Sequence, residues 1–476
     1  MPRRRPLDDR CLFSIEQECL TVVEGSDDLA QVMHGVHKLV HALHGLAPGV
    51  VANCGVFTPY GRVYEDCGHV EFALAECDSP QSLVRMDEQA QMLAWKALER
   101  LRAQGIKLRL FNNNHGGLLQ GRAPTWGSHE NHLVDVHPME FEHTILPFLV
   151  TRLYAGSGGV RFPTGQFVAS VRSEFMRLPS GGSTTRNRAI HSTCREENLV
   201  GGGQGFRYHM IGADGHRSQF NLGLLMGTTA LVLKAILRDD ELAPTLRERF
   251  PQLPLKGCWV KTLHQLNRLG RPGREPIIDP LVVDVQMVYV ESVERTLAAM
   301  DTPPEWGPQL VADWRQTLEA YATNDRPWLA SHLDTFTKYE LFSGLLAERG
   351  SDWGGLRRNL DLFSRLALLD QGYHEFENPQ SPFEIAEANG LLAHRIVERV
   401  GPGAEERAFV PDVSTRARPR AEYLVQAWND DATDGVFMDW TGVVDRDGAR
   451  RMRLEDPFAS AFTPWQAIEP PPDVPF

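Results

Sequence analysis

The chain has 476 residues, 42% of them hydrophobic and 23% charged, enough for a folded protein with a sizeable core. A formal charge of −13 excludes the overall basic footprint of a nucleic-acid-binding protein. The basic opening MPRRRPLDDR leads into no apolar run, so no secretory signal is expected. Seven cysteines without a C-x-x-C pair point to a reducing, cytoplasmic setting.

In chain order, CLFSIEQECL (11–20) alternates as a strand and projects Glu16 and Glu18 from one face. DDLAQVMHGVHKLVHALHGL (27–46) has helical spacing, with Leu29, Val32, Met33, Val36, Leu39, Val40 and Leu43 as its expected apolar stripe. His34, His37, His41 and His44 share another face, either as a metal-binding set or as the polar flank of the helix. GRVYEDCGHVEFALAEC (61–77) reads as a second strand, with more ionisable groups than core filling requires. A helix over 79–105 ends at Gly105, and strands follow at 106–111 and 129–137.

The second of these contains H-E-N-H, which has neither the spacing nor the helical setting of a zinc protease motif. A helix is expected over 144–156 and a strand over 206–214. GSGGV (156–160) and VGGGQGF (200–206) lack the strand-before-helix setting of a phosphate loop and read as flexible loops over a substrate. LGLLMGTTALVL (222–233) is too short to cross a bilayer and reads as a buried helix, so no membrane partner is expected. Residues 222–400 are mostly helical, and 401–420 read as a linker. The expected class is α+β with a largely antiparallel sheet, divided into a domain over 1–405 and a small C-terminal domain over 406–476.

The strand carboxylates Glu16, Glu18, Asp66, Glu71 and Glu130 need explanation, as do Arg62, Arg186, Arg188, Arg207 and His209 near them in the pattern. Carboxylates gathered on one sheet face repel unless a divalent cation neutralises them, and arginines grip phosphate oxygens. Such a set suits a nucleoside triphosphate with Mg²⁺ held without a P-loop; the same residues could also be surface ion pairs.

Blocks in order along the chain decide between these readings: SIEQE (14–18), GRVYEDCGHVEFALAECDS (61–79), GSHENHL (127–133), TTRNRAI (184–190), FRYHMIGADGHRSQ (206–219), LLDQGYHE (368–375), STRARPR (414–420) and MDW (438–440). Together they resemble the Pup ligase family and its sister depupylases, carboxylate-amine ligases with a glutamine-synthetase-like fold. The resemblance implies a curved antiparallel sheet cradling ATP and Mg²⁺. By position it implies Glu16, Tyr64 and Glu71 as metal ligands, Asp66 as catalytic base, and Arg62 and Trp440 on ATP. Arg207 and His209 are expected beside them on the nucleotide, with Glu18, Glu130, Arg186 and Arg188 in support.

The implied partners are a carboxylate-bearing donor, either a Pup-like peptide or a small glutamate-type molecule, and an amine acceptor. The sequence departs from the family at Ser14, Gln17, Leu74 and Gln219, and lacks one residue between Asp66 and His69. The rival reading within the resemblance is an amidohydrolase using the same nucleotide site. The gap between the first two strands holds too little chain for that branch's long loop.

Overall fold

Phe13–Val23, β1, is the centre of the molecule because its alternation serves two environments at once. Phe13, Ile15 and Cys19 are buried on one face, and Glu16 and Glu18 are half-buried on the other. The computed structural model describes residues 8–26, 28–52, 55–112, 125–161, 164–192, 205–268, 279–376, 378–392, 394–399, 410–433 and 436–468. Most of VGGGQGF lies outside them.

Helix α1, Leu29–Leu43, follows β1 and starts at Asp28, whose side chain accepts from the Ala30 backbone N–H. Then come β2 (Val50–Ala52), β3 (Gly55–Thr58), β4 (Gly61–Asp66), β5 (His69–Leu74), helix α2 (Pro80–Ala103), β6 (Leu108–Phe111) and β7 (Ser128–Val134). Helix α3 (Glu142–Thr151) precedes two small strand pairs, β8 (Gly159–Arg161) with β9 (Gln166–Val168), and β10 (Leu178–Gly181) with β11 (Ala189–Ser192). Strand β12 (Phe206–Ala213) completes the main antiparallel sheet, in the order β12-β7-β1-β5-β4-β3-β2, while β6 pairs with the far end of β1.

Residues 61–77 are not the single strand expected. They form a hairpin, because Cys67 (φ 48°) and Gly68 (φ 88°) both adopt left-handed backbone, the geometry of a tight two-residue turn whose twist matches the flanking strands. Alternation changes phase across the turn, so Tyr64 and Asp66 before it share a face with His69 and Glu71 after it, which a single strand would place on opposite faces. The expected α1 stripe also ends early: Val36, Leu39, Val40 and Leu43 are buried, but Leu29 is 63% exposed and Met33 42%.

The helical layer begins with α4 (Gln219–Arg238), capped by Ser218, whose hydroxyl accepts from the Asn221 backbone N–H. This helix is long and apolar enough to cross a membrane, yet 89% of its apolar window is buried inside the fold. Helices α5 (Leu242–Arg249), α6 (Trp259–Leu266), α7 (Pro280–Ala299), α8 (Gly307–Thr323), α9 (Arg326–His332), α10 (Asp334–Glu348), α11 (Leu360–Tyr373) and α12 (Pro382–Ala388) complete the layer. GSGGV is not a loop over a substrate. All five residues are buried: the Gly158 carbonyl accepts from Lys338, and a Cβ on Gly159 would meet the Asp370 carboxylate at 2.8 Å.

Glu130 belongs to this helix-backed side, not to the carboxylate face. It pairs across the sheet with Ile15, and Arg152 Nη1 donates to its Oε2 at 3.0 Å and to Thr229 Oγ1 at 2.8 Å. Glu130→Ala leaves that guanidinium buried without its carboxylate, an expected loss of about 3–5 kcal/mol in urea unfolding. Binding of the expected nucleotide by the folded protein should stay as it was. Weaker nucleotide binding at unchanged stability would return Glu130 to the site.

The last unit contains helix α13 (Ala417–Asn429) and the small sheet β13 (Phe437–Asp439), β14 (Gly442–Val444), β15 (Arg450–Arg453) and β16 (Gln466–Ala467). Residues 417–420, expected as linker, are the first turn of α13. Leu424, Met438 and Val443 form a separate core with Val50 and Phe57 at the edge of the main sheet. Beside it, Glu76 accepts from Arg416 Nε at 2.6 Å and from Arg420 Nη2 at 2.5 Å, all three side chains being buried.

Candidate active site

Antiparallel register determines which side chains meet. Glu16 lies opposite Ala73 and His129, Glu18 opposite Glu71, Tyr64 opposite Glu71, Asp66 opposite His69, and His209 opposite Asn131. Period-2 alternation then sends all these side chains to the concave face. All of them but His209 line a cavity of about 750 Å³ together with Arg62, Arg207, Arg188, Thr184, Thr185, Trp126 and, from the C-terminal unit, Arg416 and Trp440. The Trp440 ring stands edge-on to Phe57 at 5.1 Å, with the Arg420 guanidinium 4.9 Å from its centre.

Two groups of ligand atoms form along this face. Glu18, Asp66, His69 and Glu71 each place one such atom within 4.8 Å of the others, as do Glu16, His129 and His209. The His69 Nε2 and both ring nitrogens of His129 are buried without a hydrogen-bond partner. His129 Nδ1 is 3.4 Å from Glu16 and its Nε2 is 3.6 Å from Glu18. Three carboxylates with one imidazole fit a hard divalent cation, and the second group, richer in nitrogen, fits a borderline one. The α1 histidines form no comparable group among the described residues.

The electrostatics match crowded acids. Burial, reinforced by the Glu16 charge, pushes the Glu71 carboxyl up to about 8, although the Tyr64 hydroxyl donates to it. Burial also acts on Glu16, but the Arg207 guanidinium, His209 and His129 outweigh it and hold Glu16 well below the usual carboxylate range. Glu18 is lowered against its burial by His129, Arg172 and His69, and its Oε2 accepts from the Gly127 backbone N–H. Burial works against a charged His129, yet Glu18 and Glu16 raise it. A cation between these carboxylates would relieve their mutual repulsion.

The structure therefore brings together Glu16, Glu18, Arg62, Tyr64, Asp66, Glu71, Arg207, Arg188 and Trp440 around the cavity, with His209 buried behind Glu16, 3.6 Å from its carboxylate. Arg207 holds Glu16 and donates from Nε to Asn131 Oδ1 at 2.7 Å. Arg186 is exposed and lines no part of the cavity, and Glu130 is on the opposite sheet face. Gln219 is also remote, its amide donating to Glu88 at 3.2 Å at the start of α4. His69, His129 and the buried Arg172 near Glu18 belong to this site although the local sequence pattern does not single them out. Alternation in H-E-N-H permits His129 or Glu130 on the concave face but not both, and only the register with β1 decides which.

A family model described as Pup-ligase protein matches residues 28–444. The Pup-protein ligase of Brachybacterium faecium is 31% identical over 434 residues, covering 86% of this chain and 85% of that protein. That of Mycobacteroides abscessus is 31% identical over 421 residues, covering 84% and 86%. Among solved structures, the complex of the prokaryotic ubiquitin-like protein Pup with its ligase PafA superposes with a TM-score of 0.74 at 22% identity, over 95% of this chain and 90% of that one. The Pup ligase PafA in complex with ADP gives 0.66 at 21% identity, over 86% and 88%. The α+β fold with its antiparallel cradle is that of these structures.

Proposed function

The chain belongs to the Pup-ligase family, and on that premise we propose that this ATP-dependent ligase joins a donor carboxylate on a Pup-like peptide to the amine of a protein lysine. One observation carries the reading. A single sheet face has four cation-capable side chains at its hairpin end and Arg62 toward the other, where Trp440 of the C-terminal unit stands against Phe57, the layout needed to bind a triphosphate lengthwise.

Trp440 and Arg62 would hold the nucleotide, and Arg62 and Arg207 offer guanidinium donors to phosphate oxygens. Mg²⁺, held by Glu16, Tyr64 and Glu71 with support from Glu18, would offset charge on the transferring phosphoryl group. The donor carboxylate displaces ADP from the γ-phosphorus and becomes an acyl phosphate. Asp66 takes a proton from the acceptor ammonium, whose freed lone pair attacks the acyl carbon as phosphate leaves. His129 and His209 orient Glu16 at the edge of the same face.

The short connection from β1 to β4, one helix and two short strands, supports the ligase over the hydrolase direction. The test is incubation with Mg-ATP, hydroxylamine and a Pup-like peptide bearing a glutamate carboxylate, with free glutamate as the small-donor control. Peptide-dependent ADP with a matching hydroxamate is the expected result. ADP without hydroxamate, or equal response to free glutamate, would overturn the peptide assignment.

A further inference from the structure

The cavity has a direction. β4 runs from Gly61, paired with Leu74, to Asp66, paired with His69, about 17 Å of strand. Trp440, Arg62 and Arg416 mark the first end, and Asp66, Cys67 and His69 mark the second. Asp66 is therefore one residue from the hairpin turn, and the surface around that turn is the rim nearest the reacting centre.

This rim carries a feature that the proposed chemistry has not used. Leu29 and Met33 of α1 lie over the turn: a Cβ built on Gly68 would meet Met33 Cγ at 3.6 Å and Leu29 Cδ1 at 3.7 Å. Leu29 is 63% exposed and Met33 42%, although the α1 stripe would bury them, and the adjoining Cys67 is exposed too. One exposed leucine would need no explanation, but these two neighbouring apolar side chains form a patch beside the hairpin turn, on the α1 side of the sheet and next to Cys67, which lines the cavity. Asp28 at the start of α1 and Glu65 beside Asp66 add negative charge around it.

We propose that Leu29 and Met33, with the Cys67–Gly68 turn, form the surface on which a folded protein acceptor docks its lysine-bearing face. The reach of lysine demands contact here. An ε-amine stands only roughly 6 Å from its own backbone, so a protein delivering one to Asp66 must lay its surface on this rim. The acidic surroundings complement an incoming ammonium, and the apolar pair supplies a contact that tolerates varied neighbours. A small amine needs no such surface and enters directly. This inference rests on the ligase reading above.

The test compares two acceptors in one enzyme. Leu29→Asp/Met33→Asp and the milder Leu29→Ala/Met33→Ala are assayed with Mg-ATP and a fluorescent Pup-like peptide. One arm uses hydroxylamine as acceptor, and the other uses a clarified bacterial lysate as a pooled source of lysine-bearing proteins. The expected result is hydroxamate formation within about twofold of the parent in both variants. Protein labelling should fall about tenfold or more in the Asp pair and less in the Ala pair. Unchanged protein labelling in the Asp pair would overturn the proposal. So would a parallel fall in both arms of the Ala pair, which would give these residues a part in the fold or the chemistry. Absence of hydroxamate from the parent protein would instead sink the ligase reading itself.

Discussion

Asp66→Asn is expected to lower the rate of transfer to protein lysine by about 10²–10⁴-fold, the usual contribution of a positioned general base. The substitution keeps the shape of the side chain and its place at the end of β4, opposite His69. Asp66 is only partly buried, so folding should survive. Two acceptors separate its two conceivable duties. Lysine arrives as an ammonium and must lose a proton before it attacks, whereas hydroxylamine is largely unprotonated at neutral pH. If Asp66 moves the proton, the variant loses lysine transfer but retains much of its ADP and hydroxamate formation. If Asp66 serves chiefly as a fourth cation ligand beside Glu18, His69 and Glu71, all three products fall together and extra Mg²⁺ partly restores them. The second pattern would remove Asp66 from the role of base.

A large effect on stability, together with its pH dependence, is expected at Glu76. Burial alone would push this carboxyl up, but the Arg420 and Arg416 guanidiniums bring it from 4.5 down to about 2. A depressed folded-state value stabilises the native form above the unfolded value, and that contribution disappears as pH falls from about 4.5 through 2. The shift corresponds to about 3–4 kcal/mol. Glu76→Ala should cost about 3–5 kcal/mol at neutral pH because two buried guanidiniums lose their shared partner. It should also flatten the acid limb of a stability–pH curve measured by thermal unfolding. Since Arg420 also touches the Trp440 carbonyl at 3.3 Å and its ring, nucleotide KM should rise in the variant. An unaltered acid limb would show that other carboxylates dominate acid unfolding.

Local pattern made a good part of this legible. Alternation in FSIEQECLTVV placed Glu16 and Glu18 on one face, and the length and apolarity of residues 222–233 indicated a buried helix. The missing information was relational. The Tyr64–Glu71 pair depends on a turn whose two residues carry no strong local signal beyond Gly68. The choice between His129 and Glu130 depends on register with β1. The partners of Glu76 lie 340 and 344 positions away, and no window of neighbouring residues contains that contact. GSGGV was misread because glycine marks close backbone approach as readily as it marks freedom.

Helix α4 has a consequence for how the chain is made. One side of its apolar surface is covered by α2, made earlier, but another is covered by α7 and α8, which begin at Pro280 and Gly307, so that side emerges from the ribosome well before its neighbours exist. At roughly 5–20 residues per second, translation leaves that side uncovered for several seconds or more. During that interval nascent α4 is a substrate for chaperones and for any machinery that captures apolar helices. Slower growth and abundant chaperone should therefore favour soluble yield, and a polar substitution on its buried surface would trade safer synthesis for a weaker core.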